Sequence, residues 1–220
     1  MARQSFIQAG LRNPGPRTLL AIKLGLFLAA SLPFLWYLRA LLQDALGANP
    51  IEAITHASGE WTLRFLLITL AITPLRKLSG LHWLVRLRRM LGLFAFFYVS
   101  LHFITYLWLD QFFDWDGIAH DIVKRPFITV GFAAFVLMIP LAATSFNAAI
   151  RALGGRRWQA LHRSIYAIAI LGVIHFWWLV KRDISEPLIY ALLLALLLGV
   201  RMWWREQERR RQLQRVVASA

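Results

Sequence analysis

The sequence contains no cysteine. This absence excludes disulfide bonds, iron–sulfur clusters, thiolate metal ligands and covalent haem attachment through a C-x-x-C-H motif. Acidic residues are also scarce, since 11 Asp and Glu stand against 25 Lys and Arg. No G-x-G-x-x-G turn occurs within these 220 residues, so nothing in them predicts a dinucleotide-binding unit. A bound group would have to be held by side chains other than cysteine.

Apolar residues dominate the composition. They make up 59% of the chain, and the mean hydropathy is +0.55. Apolar runs of about 18 residues or more recur, which is typical of helical membrane proteins. The net charge of +14 does not indicate nucleic-acid binding, because the basic residues fall in short connections between these runs, where they orient membrane helices. We therefore expect an all-α integral membrane bundle.

Six apolar segments are predicted as transmembrane helices. They are Leu19 to Leu42, Trp61 to Leu75, Leu91 to Leu109, Phe127 to Ser145, Leu161 to Val180 and Leu188 to Trp204. The second is the weakest, because it is short, contains Arg64 and ends at Pro74, so a re-entrant or interfacial segment is an alternative. The predicted organisation is an N-terminal arm (1–18), a transmembrane domain (19–204) and a basic tail (205–220). The first run is too long for a signal-peptide core, so we expect an uncleaved first span.

Charge alternates between successive connections. The arm with Lys23, the segments 76–89 and 151–163, and the tail from Arg201 onward together hold 19 of the 25 Lys and Arg residues. The other connections hold 9 of the 11 acidic residues. By the positive-inside rule, both termini are cytoplasmic and the acidic connections face outward. Omitting the second span would destroy this alternation.

Three histidines, His102, His162 and His175, fall within or at the edge of long apolar segments. An imidazole in hydrocarbon is costly and usually marks a ligand, a relay or a pathway, although a hydrogen bond to a neighbouring helix is an alternative. The third and fifth spans both run outward, which predicts His102 and His175 at one depth. His162 precedes His175 by 13 residues, roughly 20 Å along a helix, and would lie near the cytoplasmic face. His56, His82 and His120 are predicted to be solvated loop residues.

Two level imidazoles on different helices favour haem, since iron accepts imidazole pairs and no acidic residue of the sequence is predicted at that depth to complete a zinc or di-iron site. With both axial positions filled, such a haem passes electrons. Arg88 lies 14 residues before His102 and is predicted level with His162. It can pair with a haem propionate, contact a quinone or approach the iron. The alternative is that its charge only orients the helix in the membrane. On an ideal helix, His162 and His175 are about 140° apart, so tilt or a helix irregularity must absorb part of this angle, or the two histidines serve differently placed centres.

Three stretches carry a resemblance to a known family: Arg88–Leu93 leading to His102, Arg125–Phe132, and Arg157–Arg163 leading to Tyr166 and His175. They resemble the MsrQ (YedZ) family of the ferric-reductase-like transmembrane superfamily, from about residue 19 to 204. The resemblance implies a bacterial inner-membrane subunit carrying haem b, in one or two copies, and FMN. It implies haem ligation by His102, His162 and His175, with Arg88 where relatives have another inner ligand. It also implies electron flow from the quinone pool or a cytosolic flavin reductase to MsrP, a periplasmic molybdopterin methionine sulfoxide reductase that repairs oxidised proteins.

Electrons are expected from another molecule, and sulfoxide reduction is implied for the partner, not for this chain. The basic cytoplasmic face, including Arg151, Arg156 and Arg157, is predicted to contact lipid headgroups or an acidic flavoprotein. Two other functions fit the same bundle: a stand-alone ferric or cupric reductase, and a haem-free scaffold or transporter. No inverted repeat or broken-helix pair favours transport.

Overall fold

The computed structural model describes residues 13–180 and 182–218, and this part of the chain is helical, with no strand. The elements are α1 (Pro16–Leu42), α2 (Pro50–Ser79), a 3₁₀ helix (His82–Leu87), α3 (Arg88–Ile104) continuing into a π-helical segment (Thr105–Asp110), α4 (Trp115–Lys124), α5 (Pro126–Ala143), α6 (Asn147–Leu153), α7 (Gly155–His162), α8 (Ile165–Leu179) and α9 (Ser185–Ala218). The all-α prediction is confirmed. The predicted arm residues Arg3 and Arg12 lie outside the described residues.

Five helical segments are long and apolar enough to cross a membrane, and they make the chain a multi-pass membrane protein. They are Pro16–Leu42, His82–Asp110, Pro126–Ala143, Gly155–Leu179 and Ser185–Val217. Helix α2, which covers the predicted second span, is not among them, because Glu60 and Arg64 lower its hydropathy. At 30 residues it is about 45 Å long, enough to cross a bilayer. The sixth span and the orientation of the termini stay predictions.

Four helices enclose the centre of the bundle. Helix α2 packs along α3, α5 packs along α8, and the two pairs close against each other through α3 with α5 and α2 with α8. The interior is apolar, and Leu66, Leu70, Leu91 and Ile168 are almost completely buried. Helix α9 lies against α2 and α8. Helix α1 is peripheral, with most of its leucines exposed as on a lipid-facing helix.

Two expectations from the sequence need correction. A turn at residues 163 and 164 divides the segment Gly155–Leu179, so His162 ends α7 whereas His175 lies on α8. The two histidines therefore do not share one continuous helix. His56, His82 and His120 are exposed as predicted, but they lie on α2, on the 3₁₀ helix and on α4, and not in loops.

Candidate cofactor site

His102 and His175 lie side by side in the four-helix centre. His102 is in the last turn of α3, and His175 lies one turn before the end of α8. Their ring centres are 6.0 Å apart, and the ring planes are at 82°. Helices α3 and α8 end where α2 and α5 begin, so the two rings approach from different helix pairs at one level of the bundle. The sequence predicts this juxtaposition from depth alone.

A cavity of about 270 Å³ contains both imidazoles. Its walls come from α2, α3, α5 and α8 and are mostly apolar: Leu63, Leu66, Val99, Phe103, Ala134, Phe135, Met138, Ile168 and Phe176. The polar lining includes His56, Glu60, Tyr106, Asp110 and Arg125. A largely apolar chamber with a few polar groups is the usual form of a cofactor site.

Each of the two imidazoles is anchored to the backbone of a neighbouring helix. Nδ1 of His102 lies 2.8 Å from the Thr55 carbonyl oxygen, and Nδ1 of His175 lies 2.7 Å from the Phe127 carbonyl oxygen. A carbonyl only accepts hydrogen bonds, so each Nδ1 carries the proton and donates. Nε2 of each neutral ring is then the unprotonated nitrogen, which is the form that binds a metal.

The separation of the two rings fits one metal held between them. An imidazole nitrogen binds a metal at about 2 Å and lies about 1 Å from its ring centre, so two rings on one metal have centres about 6 Å apart. The described residues contain no group of three or more His, Asp or Glu side chains that would hold an ion alone. A metal here needs a group that supplies its remaining ligands, as haem does.

Arg125 and Tyr106 contribute a polar network that sequence reasoning did not assign. Nε of Arg125 lies 3.0 Å from the carboxylate of Asp121, and the Tyr106 hydroxyl donates to the same carboxylate at 3.3 Å. Asp121 is buried, whereas more than half of the Arg125 side chain is exposed. Arg125 occurs in the sequence only as part of a family-like stretch, and no local signal indicates that it lines the cavity.

His162 lies outside this cavity. Its Nδ1 is 3.1 Å from the Trp158 carbonyl oxygen of its own helix, and its ring stacks on Trp158 with centres 3.8 Å apart. Its Nε2 is buried and forms no hydrogen bond of ordinary geometry within the described residues. Arg88 and Arg89 are within electrostatic reach of His162. The structure therefore brings Arg88 near His162 but joins neither residue to the His102–His175 pair.

Comparisons with known proteins agree with this architecture. Residues 58–173 match the family of ferric reductase like transmembrane components. Three similar relatives are each named protein-methionine-sulfoxide reductase heme-binding subunit MsrQ. The relative from Azospira oryzae is 64% identical, and the match covers 90% of this chain and 83% of the relative. The relative from Herminiimonas arsenicoxydans is 58% identical, with 90% of this chain and 91% of the relative covered. The relative from Ralstonia nicotianae is 54% identical, with 86% of this chain and 88% of the relative covered. No solved structure matches significantly. On this similarity, the chain belongs to the MsrQ family, within the ferric reductase like transmembrane components.

Proposed function

We propose that this chain is a membrane electron-transfer subunit that holds a b-type haem between His102 and His175. The observation that carries the proposal is the pair of imidazoles with ring centres 6.0 Å apart in one cavity, each with Nδ1 bonded to backbone and Nε2 free to ligate. When bound, the haem supplies a one-electron couple. If His102 and His175 both ligate the iron, no iron position would be left open for oxygen, so the site would suit electron transfer.

The chain's own residues hold the group and exclude water. Leu63, Leu66 and Phe103 are among the side chains that form the apolar walls, and Arg125 is the lining cation available to a haem carboxylate. His162, with Arg88 in electrostatic reach, is the candidate for a second, inner centre. We assign His162 as a ligand there and Arg88 as a partner for a propionate, which would give two haems.

Family membership supports further proposals about location, partner and donor. We propose that the chain lies in the bacterial inner membrane and forms a heterodimer with MsrP, the periplasmic molybdopterin reductase, for repair of oxidised methionine. The quinone pool or a cytosolic flavin reductase is the donor, with FMN as a further cofactor. The relatives named as heme-binding subunits of a methionine sulfoxide reductase support a role in such a system.

The test is absorbance spectroscopy of purified variants. His102→Ala and His175→Ala should each remove the low-spin haem signal of the His102–His175 site, since each removes one of its two iron ligands, and should leave only the signal of the inner centre. His120→Ala, at an exposed position on α4, is the matched control and should keep the spectrum. A low-spin spectrum unchanged in either His102→Ala or His175→Ala contradicts the assignment.

A second experiment identifies the acceptor. Reoxidation of the reduced chain should be fast with the periplasmic reductase and slow without it. Rapid reoxidation by ferric or cupric salts alone would instead establish a stand-alone metal reductase. His162→Ala should lower the haem-to-protein ratio from two towards one if the inner centre exists, while the His102–His175 spectrum persists.

A further inference from the structure

The surroundings of His102 and His175 repeat one local arrangement. Each Nδ1 bonds to a carbonyl oxygen of a neighbouring helix, and in each case the residue four positions later on that helix is glycine. Thr55 and Gly59 on α2 face His102, and Phe127 and Gly131 on α5 face His175. The repeat occurs in two separate helix pairs, so it is observed twice independently.

The position of each glycine has a geometric reason. Side chains on an α-helix lean towards the N-terminus, so the Cβ of a residue lies over the turn that precedes it. A Cβ on Gly131 would lie 2.6 Å from Nδ1 and 2.8 Å from Cε1 of His175. A Cβ on Gly59 would lie 3.2 Å and 3.3 Å from the same atoms of His102. Any larger residue at these positions would push against the nitrogen that makes the backbone hydrogen bond.

We propose that Gly59 and Gly131 are positioning residues: by lacking a Cβ, they let the imidazoles of His102 and His175 reach the Thr55 and Phe127 carbonyls, which fixes the rotation of each ring. This inference rests on the proposed haem site. The hydrogen bond at Nδ1 sets the tautomer and the basicity of Nε2, and thus the affinity for iron and its reduction potential. Because a Cβ at position 131 would come closer to its histidine than one at position 59, we expect Gly131 to tolerate substitution less well than Gly59.

The first test compares three alanine variants of the full-length chain. Gly131→Ala should lower haem affinity by about tenfold, the scale typical of groups that orient a metal ligand. Gly59→Ala should retain haem with a smaller loss of affinity and a shifted reduction potential. Gly92→Ala on α3 is the matched control and should match wild type, because its Cβ would meet only Thr69 Cγ2 at 4.0 Å. Wild-type affinity, spectrum and potential in both Gly131→Ala and Gly59→Ala would overturn the inference.

The second test asks whether Gly131 acts through His175. In the chain with His175 present, Gly131→Ala should lower the unfolding midpoint in detergent. In the His175→Ala background, the same substitution should leave the midpoint unchanged or raise it, because the ring is gone and alanine favours helix more than glycine does. A drop of equal size in both backgrounds means that Gly131 serves general packing, which overturns the inference.

If His175→Ala does not fold, the same comparison is made at the other site: the effect of Gly59→Ala on the unfolding midpoint is measured with His102 present and in the His102→Ala background. The failures of the two proposals are distinguishable. Wild-type protein without a low-spin haem spectrum contradicts the proposed function. Wild-type protein with that spectrum, but with haem affinity indifferent to Gly59 and Gly131, contradicts only the positioning role.

Discussion

The three intramembrane histidines differ in the helix that receives their hydrogen bond. His102 and His175 donate to carbonyl oxygens on other helices, across 47 and 48 residues of sequence. His162 bonds to the Trp158 carbonyl, four residues earlier on its own helix, and its ring also interacts with the backbone of Leu141 on α5. The inter-helix bonds of His102 and His175 fix each ring relative to the cavity between the helices. The neighbours of each ring, and not the hydropathy of the segment that carries it, therefore distinguish His102 and His175 from His162.

Tyr98 holds the peripheral helix α1 to the bundle. Its hydroxyl donates to the Ala30 carbonyl oxygen at 2.8 Å and accepts from the Phe34 amide at 3.2 Å, so it bridges two backbone groups of α1. Tyr98→Phe removes both bonds and should lower the free energy of unfolding by about 0.5–1.5 kcal/mol. Thermal unfolding in detergent measures this change, with Tyr37→Phe on α1 as a control outside the contact. An unchanged midpoint would show that aromatic packing alone attaches α1.

At the scale of helices, long apolar runs made α3, α5 and α8 predictable, because hydropathy over about 18 residues is a strong signal. The ten-residue helix α4 was not predicted, and the division between α7 and α8 was expected only as an unlocated irregularity between His162 and His175, because short helices and single turns leave no comparable pattern. The placement of His102 and His175 level with each other followed from the shared direction of their spans. The role of Gly59 and Gly131 could not be predicted from the sequence, because each glycine acts on a histidine that is distant in sequence. Only the packing of the helices brings each glycine and its histidine together.

Arg201 joins α9 to the central helices. This buried guanidinium donates through Nη1 to the Tyr166 hydroxyl on α8 at 2.8 Å and through Nη2 to the Leu70 carbonyl on α2. Arg201→Met keeps much of the side-chain volume but removes both bonds, which between membrane helices contribute about 1 kcal/mol. The unfolding midpoint should fall by about 2–4 °C for a chain of this size.

Arg211→Met, at an exposed position on the same helix, is the control for charge removal and should leave the midpoint unchanged. If Arg201→Met instead raises the midpoint, the cost of burying the guanidinium exceeds the gain from its hydrogen bonds. Helix α9 would then be held by apolar packing against α2 and α8.

For the whole molecule, the number of spans depends on α2. Its N-terminal half carries Glu60 and Arg64, whose side chains pair at 2.7 Å, and Nε of Arg64 also donates to the Tyr190 hydroxyl at 3.1 Å. Pairing reduces the cost of placing these charges in a membrane. The helix is also lined with buried residues along its centre, so neighbouring helices shield it from lipid. These contacts and the alternating charge of the connections both favour α2 as a sixth span.

The absence of cysteine makes this topology directly testable, because a single introduced cysteine is the only thiol in the chain. Ala48→Cys and Ser79→Cys place exposed thiols on the two sides of α2. If α2 crosses the membrane, an impermeant maleimide should label the Ala48→Cys variant in intact cells and the Ser79→Cys variant only after permeabilisation. Asp116→Cys and Gln212→Cys report the same alternative further along the chain: if α2 crosses, position 116 should label in intact cells and position 212 only after permeabilisation, and if α2 does not cross, the two should exchange. Equal labelling of positions 48 and 79 in intact cells would mean that α2 does not cross. The two termini would then lie on opposite sides of the membrane, and the outward course assigned to α3 and α8 would need revision.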